Sequence, residues 1–311
     1  MSKRTLGFIA AFLAASIFGL TFLFIKIGLR YSDPVHLLAM RFLLGMIVFE
    51  VLRRRKWIKL SLTLRNWTPL LLMVLFEPVC YFSFETYALL FSTSTEGGIF
   101  SSFTPVMTTI FAAVFLREYI LPRQILFLGL SVFGIFFIMF LDGFVLSHGV
   151  GGKLLWISAV VSAALFAVCS RYFSRRYNPW DITYMMMVAG AVFFNSWSVG
   201  RHLFQGNLLN YFTPLISGPF LLSVAFLGIM ASLVGIFFYN FGLSCLPSYQ
   251  MSVTASLTTV VAIFAGGVFL NEVISWYHMV GAIIITIGVT GINLNAETRH
   301  KILSSRYIRI R

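Results

Sequence analysis

The chain has 311 residues, of which 59% are hydrophobic and 11% charged, and its formal net charge at pH 7 is +13. This balance excludes a water-soluble globular domain. A bilayer core about 30 Å thick requires roughly 20 apolar residues per helix, and such runs follow one another along nearly the whole sequence. The sequence therefore predicts an all-α integral membrane protein.

The apolar runs predict ten transmembrane helices. In chain order they cover residues 6–29, 35–52, 67–90, 96–116, 122–141, 152–173, 181–199, 217–243, 249–270 and 276–293. Eighteen of the 23 Lys and Arg residues fall on one side of this arrangement, together with both termini, and four fall on the other. Basic residues concentrate on the cytoplasmic side of membrane proteins. We therefore expect a multi-pass protein of the cell inner (plasma) membrane with both termini in the cytoplasm.

The basic residues lie mostly in short connections between apolar runs, most densely at 53–59. Such clusters contact anionic lipid headgroups. These basic residues thus predict the lipid bilayer as a partner, and no nucleic acid. The sequence leaves open whether the protein is a monomer or a homodimer.

The second half of the chain resembles the first. Lys26 aligns with Arg171 at one constant offset, and "VFLRE" (114–118) aligns with "VFLNE" (268–272) at a second offset, with a short insertion between them. Five helices that occur twice must enter the membrane from opposite sides, because five is an odd number. The sequence therefore predicts two inverted five-helix repeats.

These repeats divide the chain into three parts. Residues 1–148 form the first repeat, residues 149–295 form the second, and residues 296–311 form a basic cytoplasmic tail. Inverted repeats suit alternating access, since two related halves exchange conformations around a site at their interface.

Four stretches carry a family resemblance. They read "AFLAASIFGLTFLFIKIGL", "DPVHLLAMRFLLG", "FETYALLFSTSTEGGIFSSFTPVMTTIFAAVFLREYI" and "QILFLGLSVFGIFFIM". They resemble the EamA-type branch of the drug/metabolite transporter superfamily, and the likeness covers about residues 6–293. The resemblance implies ten helices around a cavity lined chiefly by the first, third and fourth helices of each repeat. It also implies transport of small metabolites such as amino acids, frequently as export.

Two glutamates and a proline interrupt the third apolar run, "LFEPVCYFSFETYALL" (75–90). Glu77, Tyr81 and Glu85 are four residues apart and share one side of a helix, and Pro78 favours a bend beside Glu77. An ionisable group in a span costs roughly 2.5–3.5 kcal/mol, and protonating a glutamate at pH 7 costs a similar amount, roughly 3.7 kcal/mol. We therefore expect Glu77 to line a cavity or to exchange a proton.

Glu85 has a structural alternative. Lys26 and Arg41 have a similar predicted depth, so Glu85 is either ion-paired with one of these cations or part of a site. Tyr239 stands at the repeat position of Glu85, and Asn240 follows it. Since the acids occur in one half only, the asymmetry favours a ligand or proton role over drift at lipid-facing positions.

The fourth helix adds further candidates. Glu96, whose repeat counterpart is Gln250, lies near the helix start and either belongs to the site or caps the helix. Ser101 shares a face with Thr104 and Thr108, and such small polar stripes also serve helix packing. The predicted substrate-binding or proton-coupling residues are Glu77, Tyr81, Glu85, Glu96, Ser101, Tyr239, Asn240 and Gln250.

Four other charged residues receive structural predictions. Glu118 and Glu272 recur at the ends of helices 4 and 9, and we expect them to bind free backbone amides where a neighbouring helix begins. Lys26 and Arg171 end helices 1 and 6, where long basic side chains extend toward the membrane surface.

The sequence thus predicts a secondary transporter that moves an amino acid or related metabolite, with proton coupling as a further prediction. The alternatives are a membrane-embedded lipid-modifying enzyme and a channel or sensor without transport. Such an enzyme requires clustered acids, histidines or a metal site, and the sequence has no such cluster and no phosphate-binding motif. We therefore expect no enzymatic activity, no metal and no cofactor.

Overall fold

The computed structural model describes residues 3–61, 70–115, 122–141, 149–173, 177–246, 248–288 and 290–291. These residues form helices and connections, with no β-strand among them. The helices are α1 (Lys3–Gly28), α2 (Pro34–Arg54), α3 (Leu70–Ala88), α4 (Ser94–Phe115), α5 (Pro122–Leu141), α6 (Gly149–Phe173), α7 (Pro179–Phe204), α8 (Gly218–Cys245), α9 (Ser248–Leu270) and α10 (Trp276–Gly288). A 3₁₀ segment, Leu208–Ile216, precedes α8.

Within the described ranges, seven helices are long and apolar enough to cross a membrane, namely α1 to α4 and α6 to α8. The other three contain shorter apolar stretches: Ile125–Ile138, Leu257–Leu270 and Trp276–Gly288. Within the described ranges, a helix occurs near every predicted position. The all-α, multi-pass expectation is confirmed, whereas the number of ten membrane-crossing helices stays a prediction.

Asp33 fixes the turn between α1 and α2. Its Oδ1 accepts hydrogen bonds from the backbone N–H groups of Val35 and His36, both at 3.1 Å, and Pro34 occupies the first helical position. Arg201, near the end of α7, forms an ion pair with Asp33. Burial by itself would raise the pKa of Asp33, but the hydrogen bonds from Arg201 and His36 hold the pKa below its usual value. One carboxylate therefore joins the start of α2 to the end of α7.

Helices α3 and α8 are irregular at mid-length. Leu75–Cys80 in α3 and Phe226–Gly235 in α8 form wider π-helical turns. Glu77 has φ −148° and ψ 119°, outside the helical region, directly before Pro78. The predicted bend of this helix beside Glu77 is confirmed.

The first helix of each half packs on the third and fourth helices of the other half. Helix α1 packs on α8 and α9, α6 packs on α3 and α4, α4 packs on α9, and α2 packs on α7. Phe42, Phe49 and Phe194 belong to a buried cluster at the α2–α7 contact, while Phe22 and Trp156 belong to a second cluster shared by α1, α4 and α6. This packing leaves a central space between the α1, α3, α4 group and the α6, α8, α9 group.

Candidate functional site

A central cavity lies between the two groups of helices. The cavity has a volume of about 130 Å³, which is room for several water molecules or a small organic molecule. Residues of α1, α3, α4, α6, α8 and α9 line it, as the family resemblance implied, and α2 adds Arg41. The lining is mostly apolar, and its polar side chains are Thr21, Arg41, Glu77, Tyr81, Glu85, Ser101, Thr104, Thr108, Tyr239 and Thr258.

Glu85 and Tyr81 form a hydrogen-bonded pair on the α3 wall. The Tyr81 hydroxyl donates to Glu85 Oε1 at 2.6 Å. Glu85 is 2% exposed, and its Oε2 is buried without a hydrogen-bond partner. Oε2 is therefore a hydrogen-bond acceptor without a protein donor. Leaving a buried carboxyl oxygen unsatisfied costs free energy.

Arg41 enters the same cavity from α2. It is 0% exposed, its Nε donates to Ser232 Oγ at 2.7 Å, and its guanidinium carbon lies 4.2 Å from the Phe82 ring centroid. Its Nη1 and Nη2 have no hydrogen-bond partner. The ion pairs within 4.0 Å among the described residues join Glu50 to Arg53 and Arg54, and Asp33 to Arg201. The structure therefore does not form the direct Arg41–Glu85 ion pair, although both residues line one cavity.

Glu77 lies at the irregular turn of α3 and also faces the cavity. Its side chain is partly exposed, unlike that of Glu85, and takes part in none of the side-chain hydrogen bonds found in the described ranges. The ionisable groups that share the cavity with it are Arg41, Tyr81, Glu85 and Tyr239. Glu77 is thus a carboxyl group at the cavity surface with no fixed partner.

Two further predicted residues lie on the cavity wall and two do not. Ser101 and Tyr239 line it. Glu96 instead forms a capping box at the start of α4: its Oε2 accepts from the Thr93 N–H at 2.6 Å, and Thr93 Oγ1 accepts from the Glu96 N–H at 3.0 Å. This arrangement favours the capping alternative for Glu96.

Asn240 is a buried bridge between helices. Its Oδ1 accepts from Ser170 Oγ at 3.2 Å, and its Nδ2 donates to Thr183 Oγ1 at 3.3 Å, which ties α8 to α6 and α7. Gln250 is in α9, but its side chain lies outside the described part of the structure.

Lys26 and Arg171 bind backbone carbonyl groups at helix ends. Lys26 Nζ donates to the carbonyls of Leu89, at 2.9 Å, and Ser92, at 2.7 Å, just beyond α3. Arg171 donates to the carbonyl of Leu246 at 3.3 Å, just beyond α8. A cation at a helix C-terminus is stabilised by the helix dipole and the free carbonyls. Among the ion pairs of the described residues there is none between Lys26 and Glu85, and Lys26 Nζ is held by backbone carbonyls instead.

The family resemblance implied that α1 lines the cavity, but the sequence analysis named no residue of α1 on its wall. Ala11, Ala14, Ala15 and Phe18 line the cavity. Their three- and four-residue spacing places them on one face of the helix. That spacing was the available signal, but a stripe of small residues is equally typical of close helix packing.

Glu272 follows α9 and caps the start of α4, as predicted. Its Oε1 accepts from the Ser94 N–H at 2.7 Å, and its Oε2 accepts from the Thr95 N–H at 2.9 Å and the Thr95 hydroxyl at 2.8 Å. The amides of a first helical turn have no partner within the helix, so the carboxylate satisfies them and meets the positive end of the helix dipole. Glu118 lies outside the described residues.

We expect Glu272→Gln to destabilise the protein by about 1–2 kcal/mol. The substitution removes the charge and turns an amide NH₂ toward the donors of Ser94 or Thr95. Thermal unfolding of the purified protein in detergent measures the effect. Glu50→Gln is the matched control, because Glu50 pairs with Arg53 and Arg54 on the surface, where ion pairs contribute little. Equal midpoints for the two variants would contradict the capping role.

The side chains of the cavity are suited to binding a small ligand. It presents a cationic side chain and two carboxyl side chains along a mostly apolar wall. Within the described ranges, no group of three or more His, Cys, Asp or Glu side chains could hold a metal ion. The arrangement fits a small ligand that carries both charged and apolar groups.

Comparison with known proteins gives a family match, similar sequences and a solved structure of the same fold. The sequence model of the EamA-like transporter family matches residues 5–140 and again residues 150–294. The chain is 36% identical over 300 residues to the uncharacterized transporter YcxC of Bacillus subtilis, with 96% of each chain covered. It is 24% identical over 285 residues to an uncharacterized transporter of Archaeoglobus fulgidus, with 89% of this chain and 95% of that protein covered. A solved crystal structure has the same fold, with a TM-score of 0.68 at 18% identity over 94% of this chain and 98% of that chain.

Proposed function

The chain belongs to the EamA-like transporter family, and from this premise we propose that it is a secondary transporter that moves an amino acid or a related small metabolite by alternating access. The observation that carries the proposal is a central cavity that holds basic and acidic side chains among apolar ones. On α1 its lining runs from Ala11 to Phe22, in the middle of the helix. An ionisable side chain at that depth is costly and is typical of substrate or ion pathways.

Two related halves around the cavity support alternating access. The family model matches the chain twice. Helix α1 packs on α8 and α9, and its counterpart α6 packs on α3 and α4. The π-helical turns lie in the third helix of each half. We take the halves as inverted repeats at 1–148 and 149–295, since inverted repeats can exchange conformations about a fixed site. The relatives are named as uncharacterized transporters, which favours this function over a lipid-modifying enzyme.

Direction and coupling are further parts of the proposal. The excess of basic residues on the side of both termini supports a plasma-membrane protein with cytoplasmic termini, and we propose export. Glu77 is the proposed proton carrier because it faces the cavity without a fixed partner, whereas Glu85 is held by Tyr81. Binding a proton or a cationic group offsets the cost of an ionised carboxylate at membrane depth.

Counterflow in proteoliposomes tests the transport function. Vesicles are loaded with a high concentration of one unlabelled amino acid, and the uptake of the same labelled amino acid from outside is followed for a panel that includes Ala, Leu and Phe. We expect transient, saturable accumulation of label for at least one member, since a carrier exchanges its substrate across the membrane. Protein-free vesicles are the control.

Three other outcomes would contradict the proposal. A channel gives flux that a trans-substrate does not stimulate, and an enzyme returns a chemically altered label. A monodisperse, folded protein without counterflow for any member of the panel would exclude amino acids as the substrate class.

A further inference from the structure

Arg41 is a buried cation. One nitrogen atom of its guanidinium group is hydrogen-bonded, and the other two have no hydrogen-bond partner. Ser232 Oγ accepts from Nε at 2.7 Å, and the Phe82 ring centroid lies 4.2 Å from the guanidinium carbon. These two contacts fix the position and tilt of the guanidinium group. Nη1 and Nη2 are both buried without a hydrogen-bond partner, on a side chain that lines the cavity.

The two unpartnered nitrogen atoms define the chemistry of a ligand group. A guanidinium is planar, and its N–H groups match the two oxygen atoms of a carboxylate in a bidentate pair. The acids on the cavity wall do not fill this role, because the ion pairs within 4.0 Å among the described residues include none between Arg41 and Glu77 or Glu85. Glu85 Oε2 is itself buried without a partner.

We propose that Arg41 is the residue that binds the carboxylate of the substrate, with Ser232 and Phe82 as its positioning residues, so that the transporter selects compounds that carry a carboxylate. This inference rests on the proposed function of the same cavity. The bound carboxylate pairs with Nη1 and Nη2. A substrate ammonium group, where present, is complementary to Glu85 Oε2.

If Arg41 has a purely structural role, we expect no difference in affinity between ligands with and without a carboxylate. If the guanidinium served only to balance the charge of Glu85 or Glu77, a lysine at position 41 would preserve that balance. Ligands with and without a carboxylate would then bind equally well. The preference for a carboxylate is therefore the property to measure.

The experiment compares matched ligands as competitors of counterflow and in thermal-shift measurements on the full-length protein. The probes are L-alanine, L-leucine and L-phenylalanine, each beside its amide, which keeps the ammonium group and the side chain but lacks the carboxylate. For the wild type we expect each amide to bind at least about tenfold more weakly than its acid. This comparison needs no substitution, so a folding defect cannot affect it.

Arg41→Lys is expected to weaken binding of the acids about 10- to 100-fold and to remove most of the preference over the amides. Ser232→Ala keeps the cation and loses only the hydrogen bond that positions it, so we expect a smaller loss of affinity and a reduced preference. Arg53→Lys is the matched control, because Arg53 is on the same helix but pairs with Glu50 at the surface. It is expected to behave like the wild type.

Equal competition by acid and amide in the wild type would overturn the inference, as would a full carboxylate preference in Arg41→Lys. If no amino acid supports counterflow, the proposed function fails separately. Thermal shifts with acetate and 4-methylpentanoate then decide the role of Arg41. A shift that Arg41→Lys abolishes upholds the carboxylate site, and no Arg41-dependent shift refutes it.

Discussion

Glu77→Gln is expected to abolish proton-driven accumulation of the substrate while counterflow remains measurable. A carrier that moves one proton per substrate converts a gradient of one pH unit into about a tenfold concentration ratio. Glutamine has nearly the shape of glutamate but cannot carry the proton, so the ratio should fall to about one. Accumulation in proteoliposomes, with and without an imposed pH gradient, measures the change.

Glu85→Gln and Glu50→Gln make this test specific. Glu85 accepts a hydrogen bond from Tyr81, so its replacement is expected to weaken substrate binding but to preserve the response to the pH gradient. Glu50 lies on the surface with Arg53 and Arg54 and should leave both properties unchanged. Unaltered pH dependence in both Glu77→Gln and Glu85→Gln would exclude these carboxyls as coupling groups, and a loss in Glu85→Gln alone would transfer the role to Glu85.

Gly98→Ala is expected to lower the free energy of unfolding by about 1–3 kcal/mol. A Cβ at Gly98 would lie 2.5 Å from the Cβ of Ala262, where α4 and α9 are in contact, and Thr259 Oγ1 donates to the Gly98 carbonyl at 2.8 Å. The added methyl group must separate the two backbones and weaken this hydrogen bond. Thermal or denaturant unfolding of the purified protein measures the loss.

A second substitution tests whether this contact is the cause. Ala262→Gly removes the atom that the new methyl group meets, so the double variant should regain most of the stability that Gly98→Ala loses. Gly129→Ala, in α5, is the matched control, since a Cβ there meets no heavy atom within 4 Å. Failure of Ala262→Gly to rescue Gly98→Ala would show that the stability loss arises elsewhere.

The sequence predicted the helices well because each needs only a run of apolar residues that the bilayer requires. It also predicted the role of Glu272, since a carboxylate beside the start of another helix has few alternatives to binding free amides. The choice between a cap and a site residue for Glu96 stayed open, because both roles suit an acid near a helix start. The geometry of Thr93 favours the cap.

Lys26 shows a contact that the sequence could not predict. The acceptors of its Nζ, the carbonyls of Leu89 and Ser92, are more than sixty positions away in the chain. Backbone carbonyls are present at every residue and leave no pattern in the sequence. Such a contact is decided only by how the helices pack.

By itself, the sequence determined an all-helical, multi-pass membrane protein and placed acids on one side of α3, because hydrophobicity and helical spacing are local properties of the chain. The tertiary structure alone decided which polar groups share a cavity and which atoms are left without partners. It brought Arg41 of α2 to the same wall as Glu77 and Glu85 and left Nη1 and Nη2 unpartnered. The physical reason is that hydrogen-bond satisfaction depends on distances between helices, which the sequence does not record.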